Sequence, residues 1–349
     1  MEARRFRGLF HLSLIRVITA ILLVLLIIFG LVIYLRVSFR ERAEAGWVNG
    51  PALQPLSEEA SSIVEILESD NILWIASNLE EREVYTPATA VGAMITKYIK
   101  SYQGRYFPGS LDQPASLRLT TRFRQETEKL SLTEEEGEAL ISPLYSAVTQ
   151  CIVRKGDIHS LQDLKGKRVS LGEPKADTTL LNRSFLSIQG LDPSDYEAVY
   201  LDLDKAVRAL EDKTIDCLVL SSVLPNQQIA NLAANLEIEL LPVEGHDIID
   251  HLERYLPGCR IARINAGTYK GQDVLILSVA TDVLLCTPKT AGRDIVYDIT
   301  KAIYGNLSEI KKVFPMDRVY KTTSFNNSAI GDLHQGALEY YREQGIIWR

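Results

Sequence analysis

The sequence predicts an α/β protein preceded by a single N-terminal membrane-spanning helix. From residue 72 onward, short apolar runs of strand length alternate with segments of helical periodicity, which is typical of α/β architecture with largely parallel sheets. Residues 17–35 form one long apolar run without a charge, which is typical of a membrane span. The composition of 46% hydrophobic and 24% charged residues is that of a globular protein, and 349 residues are enough for about two domains.

The N-terminal apolar segment, Val17–Leu35, is 19 residues long. At about 1.5 Å per residue a helix of this length would extend roughly 28 Å, close to the thickness of the bilayer's hydrocarbon core. A cleaved signal peptide is the alternative, because Ala43-Glu44-Ala45 has the small-x-small form of a cleavage site. The apolar run exceeds the roughly 7–15 residues of a signal-peptide core, which favours an anchor that is not cleaved. We therefore predict a cytoplasmic tail and transmembrane anchor over residues 1–45, with the body of this single-pass membrane protein on the extracytoplasmic (periplasmic) side.

Charge separates the two ends of the chain. The first 45 residues carry seven arginines and three glutamates, a net charge of +4, so the rest of the chain carries −11 of the total of −7. An acidic body argues against nucleic acid as a partner, because phosphate binding needs a positive face. Four cysteines in a chain of this length exclude a disulfide-stapled scaffold.

Local patterns predict the order of elements after a Gly-, Pro- and Ser-rich tether at residues 46–62. The predicted strands are 72–77, 117–121, 146–154, 168–171, 198–201, 215–220, 238–241 and one or two within 272–287. The predicted helices are 87–102, a short turn capped by Ser160, 178–188, 203–212, 225–235, 247–255, 293–306, 307–313 and 336–344.

The residues that usually carry catalysis or metal binding form no convincing site. His246 and His251 are five residues apart, about 140° around a helix, so they would not share a face as metal ligands four apart do. No G-x-S-x-G nucleophile elbow is present, and Asp202 is better explained as a helix cap than as half of a carboxylate pair. We therefore predict neither an enzyme nor a bound cofactor or metal.

Three cysteines fall in apolar strands and are predicted to be buried thiols: Cys151, Cys217 and Cys286. Cys259 lies in a Pro-Gly loop. Cys151 and Cys286 are placed on neighbouring strands, and the sequence leaves open whether they form a disulfide in an oxidising compartment.

Five segments in the second half of the chain carry a resemblance to a known family. They are SLQDLKGKRVSLGEP at 160–174, LEDKTIDCLVLS at 210–221, AGTYKG at 266–271, VLLCTPKTAGRDIVYDITKAIYGNL at 283–307 and LHQGALEYYREQG at 333–345. In this order they resemble the TAXI family of solute-binding proteins that serve TRAP transporters. The specific similarity covers about residues 145–345, and a weaker similarity reaches back to about residue 72.

The resemblance implies a type II periplasmic-binding-protein-like fold of two hinged lobes. It places a linker at residues 46–70, lobe 1 at 71–150 with 275–349 returning to it, and lobe 2 at 151–274. It also implies that the lobes close on a small organic acid or amino acid and deliver it to the membrane subunits of a TRAP transporter. A closing cleft of this kind excludes water and lets a few fixed donors hold the ligand.

The resemblance also implies candidate ligand contacts: Tyr85, Thr178, Ser221, Ser222 and Asn226. The family's Gly-x-Pro-Gly-Ser-Gly-Thr loop is here Gly172-Glu173-Pro174-Lys175-Ala176-Asp177-Thr178, in which only Thr178 keeps a hydroxyl at the start of the helix. Two structural alternatives stay open: Asp177 caps this helix, and Ser221 and Ser222 cap the helix that begins near residue 225.

The first lobe departs from the family in ways that suggest a second function. Residues 77–84 replace a Gly-rich loop with the acidic segment SNLEEREV, and roughly 30–40 family residues are absent between residues 120 and 145. The alternative hypothesis is therefore a degenerate binding fold that acts as a sensory or protein-interaction domain without transport.

Overall fold

A computed structural model describes residues 71–77, 79, 87–107, 115–128, 137–174, 176–310 and 333–346. The predicted membrane segment Val17–Leu35 and the candidate contact Tyr85 lie outside these residues. Among the helices in the described ranges, none is both long and apolar enough to cross a bilayer.

The described elements alternate between strand and helix along most of the chain. The strands are β1 (Ile72–Ser77), β2 (Gln103–Phe107), β3 (Leu117–Thr121), β4 (Glu138–Arg154), β5 (Arg168–Ser170), β6 (Glu197–Val199), β7 (Cys217–Ser222), β8 (Ile238–Leu241), β9 (Cys259–Ile264) and β10 (Ile276–Pro288). The helices are α1 (Pro87–Tyr98), α2 (Arg122–Glu128), α3 (Asp177–Ile188), α4 (Leu203–Glu211), α5 (Gln227–Asn235), α6 (His246–Asp250), α7 (Leu252–Tyr255), α8 (Arg293–Tyr304), α9 (Leu307–Ile310) and α10 (Gln335–Glu343), with a 3-10 turn at Leu161–Leu164.

The ten strands form one sheet in the order β2-β1-β3-β10-β4-β7-β5-β6, with β8 pairing β4 and β9 pairing β10. This confirms the α/β class, but the expectation of largely parallel sheets is wrong for the middle of the sheet. The pairs at the two ends (β1 with β2 and β3, β5 with β6 and β7) are parallel, whereas β4 and β10 pair all their neighbours antiparallel. Apolar runs report burial and not strand direction, so the sequence pattern could not distinguish the two arrangements.

The two central strands, β4 and β10, are the longest, with 17 and 13 residues. Most residues of both strands are buried, and this includes polar side chains such as Thr149 and Gln150 of β4. Their antiparallel pairing runs from Ala280 opposite Val148 to Pro288 opposite Glu138, with two register shifts on the way. Each strand therefore passes through both halves of the sheet and connects them.

Three hydrophobic cores pack against this sheet. The first takes residues from 73–147 and 283–341, including the buried faces of α1, α8 and α10. The second and third lie on opposite faces of the other half, because Cys151 and Val153 of β4 point into one and Val148 and Ile152 into the other. Helix α3 covers the second core, and α4 and α5 cover the third, giving three layers.

Most element positions agree with the sequence patterns, and the exceptions have local causes. Strands β2 and β9 were not predicted: β2 carries a glycine and an arginine within five residues, and β9 carries two arginines within six. Helix α2 was also not predicted, because its segment is rich in charged residues and shows little apolar periodicity. The single helix predicted at 247–255 is two short helices that are separated at His251.

All four cysteines are buried free thiols, as predicted for three of them. Cys151 and Cys286 lie on the neighbouring strands β4 and β10, as predicted, but Cys286 stands opposite Leu140, and both thiols are free. Cys151 lies beside Cys217 on β7, with 3.2 Å between the two sulfur atoms. The β4–β7 register sets Cys151 opposite Val219 and Cys217 opposite Val153, so the two thiols are diagonal neighbours on one face. Burial raises the pKa of Cys217 well above its usual value, so this thiol stays protonated.

The C-terminal helix α10 is attached to β4 by hydrogen bonds. The backbone N–H of His334 donates to the Leu140 carbonyl at 2.8 Å, and the Tyr341 hydroxyl donates to the Ile141 carbonyl at 2.8 Å. The His334 ring caps α10, because its Nδ1 accepts from the Gly336 N–H at 3.2 Å while Nε2 lies 3.0 Å from the Ala291 carbonyl. Both contacts are satisfied only by the neutral ring with the proton on Nε2.

The packing of α1 on β2 depends on two glycines in contact. A Cβ added at Gly104 would lie 2.6 Å from the Gly92 Cα and 2.6 Å from its carbonyl oxygen, and both of these are backbone atoms that cannot rotate away. We expect Gly104→Ala to destabilise the fold by about 1–3 kcal/mol through overpacking. Gly156→Ala is the matched control, since nothing lies within 4 Å of its added Cβ. Urea midpoints measure both; equal midpoints for the two variants would contradict this packing.

The cap at His334 predicts a pH dependence of stability. Burial lowers the pKa of His334 in the folded protein below the unfolded value of about 6.5. The unfolded chain then binds the proton more readily, so the stabilisation is present above about pH 6.5 and is lost as the pH falls. We expect His334→Asn, which keeps a capping side chain without titrating, to lose less melting temperature between pH 7 and pH 5 than the natural protein. His246→Asn, at an exposed helix start, should keep the natural pH dependence; an unchanged dependence in His334→Asn would contradict the assignment.

Candidate functional site

Polar side chains gather where the parallel strands β5 and β7 end. In α/β sheets, ligands bind outside the carboxyl ends of parallel strands, where helix N-termini also point. Strand β5 ends at Ser170 and β7 at Ser222, and helix α3 begins at Asp177 just after β5. The candidate residues at this edge lie on opposite faces of the sheet.

On the face covered by α3, Ser221 is fixed in a buried hydrogen-bond network. Its hydroxyl donates to Asn182 Oδ1 at 2.7 Å and lies 2.8 Å from Thr149 Oγ1, which donates to it. The Asn182 amide nitrogen donates to the carbonyl oxygens of Leu171 and Val219 at 2.9 and 3.0 Å. This network joins α3 to the ends of β5 and β7 and holds Ser221 in one orientation.

Thr178 has an unused hydroxyl at the same edge. It is the second residue of α3 and lies one helical turn before Asn182, on the same face of the helix. Its side chain is buried, with 4% exposure, and Thr178 Oγ1 has no hydrogen-bond partner among the described residues. A buried hydroxyl without a partner costs about 1–3 kcal/mol, which makes Thr178 Oγ1 a candidate contact for a ligand. Ser170 Oγ, at the end of β5, is likewise without a partner among the described residues.

The start of α3 has no side-chain cap. The N-cap residue is Ala176, whose methyl group cannot accept a hydrogen bond from the first-turn N–H groups. The alternative that Asp177 caps its own helix is therefore wrong. Asp177 is the first helical residue, and its side chain points away from the helix toward β3.

Asp177 joins α3 to the end of β3. Its carboxylate is fully buried, and Oδ2 accepts hydrogen bonds from the Thr120 hydroxyl at 2.8 Å and from the Thr121 N–H at 3.1 Å. Hydrogen bonds to a buried carboxylate are stronger than those between neutral groups. The first half of the sheet and the helix on the second half are thus connected by a buried charge at this edge.

Ser222 and Asn226 lie on the opposite face of the sheet from Ser221. The Ser222 hydroxyl accepts from Gln150 Nε2 at 3.1 Å, and the Tyr269 hydroxyl donates to Gln150 Oε1 at 2.5 Å. Burial raises the pKa of Tyr269 to about 12, so its hydroxyl keeps its proton. The same hydroxyl accepts from the Asn226 N–H at 3.0 Å, which ties the turn at 266–271 to the start of α5.

The cap of α5 is Asn226, and neither serine contributes to it. Asn226 Oδ1 accepts from the backbone N–H groups of Gln228 and Ile229 at 3.0 and 3.2 Å. The alternative that Ser221 and Ser222 cap this helix is therefore wrong. Asp202 does cap α4, as predicted, by accepting from the Lys205 N–H at 2.9 Å.

Sequence reasoning missed Asp177, Asn182 and Thr149 as parts of this cluster. Asp177 could have been recognised from the sequence, because it stands at a position where the family that this chain resembles has a glycine. Asn182 also had one, since a polar residue four positions after Thr178 shares its helical face. Thr149 had none, because it sits in an apolar strand whose pairing partner the sequence does not reveal.

Two further features lie apart from this cluster. A surface cavity of about 330 Å³ is lined by Arg168, Lys205 and Arg208 over an apolar floor and shares no residue with the Thr178 face. Arg168 pairs with Glu197 and Lys205 pairs with Asp202, so the positive charge that lines this cavity is partly neutralised. In the described part of the chain, no three His, Cys, Asp or Glu side chains are grouped to hold a metal ion.

Comparison with known structures finds remote likenesses over most of the described chain. An amino acid ABC transporter substrate-binding protein from Streptococcus pneumoniae bound to L-arginine is 13% identical, over 72% of this chain and 98% of that one, with a TM-score of 0.43. A mutant of ArgBP from T. maritima is 12% identical, over 72% of this chain and 96% of that one, with a TM-score of 0.43. Similarity at this level does not identify a ligand.

Comparison with protein-family models gives a match over residues 135–345. That range is more than half of the chain, and it contains β4, the helix α3 with Thr178 and the turn at 266–271. The chain belongs to the NMT1-like family.

Proposed function

We propose that this protein is a solute-binding protein that holds a small polar molecule at the start of α3. The observation that carries the proposal is the buried, unpartnered hydroxyl of Thr178 beside an uncapped helix N-terminus. A ligand group that hydrogen-bonds Thr178 Oγ1 would remove the cost of leaving that atom unsatisfied. The polar groups around it are held by the Asn182 network, so the site is preorganised.

Two lobes with a hinge at β4 and β10 are part of this proposal. Residues 140–147 of β4 and 283–286 of β10 belong to the first core, whereas residues 148–153 and 279–280 belong to the other two. Lobe 1 would comprise 71–150 with 275–349, and lobe 2 would comprise 151–274. Bending of two strands that pass between separate cores is a common way for a cleft to open and close.

The finer assignment we propose is a TAXI-type subunit of a TRAP transporter. The five segments that resemble this family support it. In the fold they correspond to the 3-10 turn with β5, to β7, to the turn with Tyr269, to the end of β10 with α8, and to α10. Tyr85, Ser222 and Asn226 stay predicted ligand contacts. An adjacent gene for a multi-span TRAP permease would support the assignment, and its absence across genomes that carry this protein would count against it.

A degenerate fold that serves as a sensory or protein-interaction domain is the second candidate. This candidate is favoured by the hydrogen bonds that Thr120 and Thr121 donate to Asp177. They use donors at the edge of the sheet for a side chain of the protein itself, so these donors cannot bind a ligand. Such a fold would bind no small molecule at this edge. The two candidate functions can therefore be distinguished by measuring whether Thr178 contributes to the binding of any solute.

Thr178→Val tests the solute-binding proposal. Valine has the shape of threonine without the hydroxyl, so we expect the free protein to keep or slightly raise its melting temperature. We expect the same variant to weaken solute binding by about 1 kcal/mol or more, roughly fivefold to tenfold in Kd. The measurement is calorimetric titration of the solute that gives the largest thermal shift in a panel of carboxylates, amino acids, amides, amines and polyols.

Ser187→Ala is the matched control on the same helix, because Ser187 is exposed on α3 away from the sheet. It should leave both stability and affinity unchanged. Well-folded protein that responds to no solute in the panel, or a Thr178→Val protein with unchanged affinity, would contradict the proposed site.

The membrane anchor and the extracytoplasmic location are also proposed, from the 19 apolar residues of Val17–Leu35. We expect the full chain to stay in the membrane fraction after alkaline carbonate washing and the chain without residues 1–45 to leave it. In intact cells, an added protease should degrade the body only after the outer barrier is opened. Release of the full chain by carbonate would contradict the anchor.

A further inference from the structure

We infer that Cys151 and Cys217 form a disulfide bond that joins β4 to β7, and that this bond forms while the chain folds in an oxidising compartment. The inference goes beyond the proposed function and does not depend on which solute binds. The sequence placed Cys151 and Cys286 on neighbouring strands and left open whether they pair. In the structure, the cysteine that Cys151 contacts is Cys217.

The two sulfur atoms already lie near bonding distance. They are 3.2 Å apart, whereas the S–S bond of a disulfide is about 2.05 Å long, so each sulfur has to move by only about 0.6 Å. A cysteine side chain turns about its χ1 bond, and a small rotation of both side chains gives a shift of this size. The bond therefore fits the pairing of the two strands as it stands.

The β4–β7 ladder holds the two thiols in this approach. Cys151 and Cys217 are diagonal neighbours on the face that α3 covers, and both are packed in the second core with 1% and 0% exposure. Next along the same face, Thr149 stands opposite Ser221, and their hydroxyl oxygens are 2.8 Å apart in a hydrogen bond. Neither thiol can turn away into solvent, so their proximity is a fixed feature of the fold.

The other two cysteines occupy different places in the sheet. Cys259 on β9 stands opposite Thr281, and Cys286 on β10 stands opposite Leu140. We expect both to stay reduced under conditions that oxidise the β4–β7 pair. They are therefore internal controls for the selectivity of the bond.

Thiol–disulfide exchange with a small disulfide such as oxidised glutathione makes the bond. The thiolate of one cysteine attacks the glutathione disulfide, which gives a mixed disulfide and releases one glutathione thiol. The second cysteine attacks the mixed disulfide, which gives the bond between β4 and β7 and releases the second glutathione. Two protein thiols lose two protons and two electrons, and one glutathione disulfide becomes two thiols. The extracytoplasmic side proposed for the body is a compartment where such exchange is favourable.

Burial sets the order of events. Exchange requires a thiolate that the disulfide can reach, and α3 covers both thiols in the folded protein. Burial also raises the pKa of Cys217 well above its usual value, so little of its thiolate is present once the core has formed. The bond therefore forms before α3 packs on β7, and the same burial then protects it from reductants.

The bond would close a loop around much of this half of the sheet. The two cysteines are 66 positions apart, and the chain between them forms β5, α3, β6 and α4. A cross-link over a loop of this length lowers the entropy of the unfolded chain. We expect the oxidised protein to melt at least about 5 °C above the reduced protein. An oxidised protein that melts at the same or a lower temperature would overturn the inference that the bond fits the native pairing.

Counting thiols in the full chain tests the pairing. The chain is unfolded in urea with dithiothreitol, freed of reductant and refolded in detergent with a mixture of reduced and oxidised glutathione. After acid quenching, alkylation with N-ethylmaleimide in urea and intact-mass measurement, we expect two alkylated thiols, and proteolysis should give a peptide that joins Cys151 to Cys217. Four alkylated thiols, a bond that includes Cys259 or Cys286, or glutathione left on either strand would overturn the inference. Protein that was folded in the reduced state should keep four thiols in the same mixture, and equally rapid oxidation would overturn the order of events.

Cys217→Ala and Cys259→Ala are the matched variants. We expect Cys217→Ala to keep three free thiols after refolding with glutathione and to melt at one temperature with or without reductant. Cys259→Ala, which removes a buried cysteine outside the pair, should keep the bond and the difference in melting temperature. A Cys217→Ala protein that still loses two thiols would overturn the pairing. If this variant does not fold, the peptide map of the natural protein decides alone.

Discussion

The antiparallel pairing of β4 with β10 is the constraint on which the rest of the structure depends. Strands of 17 and 13 residues, buried along nearly their whole length, provide the backbone hydrogen bonds that hold both halves of one sheet together. The first core packs around one end of this pair, and the second and third cores pack on the two faces of the other end. Because β7 pairs directly with β4, the same constraint fixes where Ser221 stands and therefore where α3 must pack.

At the candidate edge, most of the buried polar groups are hydrogen-bonded to one another. Asn182 uses both its oxygen and its nitrogen, Gln150 does the same on the opposite face, and Asp177 accepts from a hydroxyl and a backbone N–H. Buried polar networks of this kind give a site one defined geometry. Among the described residues of this edge, the buried hydroxyls of Ser170 and Thr178 have no hydrogen-bond partner. Thr178 lies in the first turn of α3, which is why the proposed ligand site is placed there.

The sequence revealed those parts of the fold that depend on local patterns. Strand β3 and the helix start at Pro87 lie where apolar periodicity and a first-turn proline placed them, and Ser160 and Asp202 precede the turn and helix that they were expected to cap. Strand direction was not predictable, because burial makes parallel and antiparallel strands read alike in sequence. Strand β2 was missed because its five residues include a glycine and an arginine, and its glycine is needed for a tertiary contact with Gly92. Thr178 and Ser221 were predicted as site residues from the family resemblance. The sequence did not reveal that Ser222 and Asn226 lie on the other face of the sheet, because this depends on how β7 pairs with β4.

The central claim, that a solute binds against Thr178, is tested most directly by threonine-methyl NMR of the full chain in detergent. The methyl groups of Thr178, Thr149 and Thr120 report on the candidate edge, and Thr268 in an exposed turn reports on the rest of the surface. On titration of a binding solute, we predict saturable shifts that are largest at Thr178, smaller at its neighbours and absent at Thr268. Shifts at Thr268 without any at Thr178, while calorimetry shows binding, would place the solute elsewhere and contradict this account.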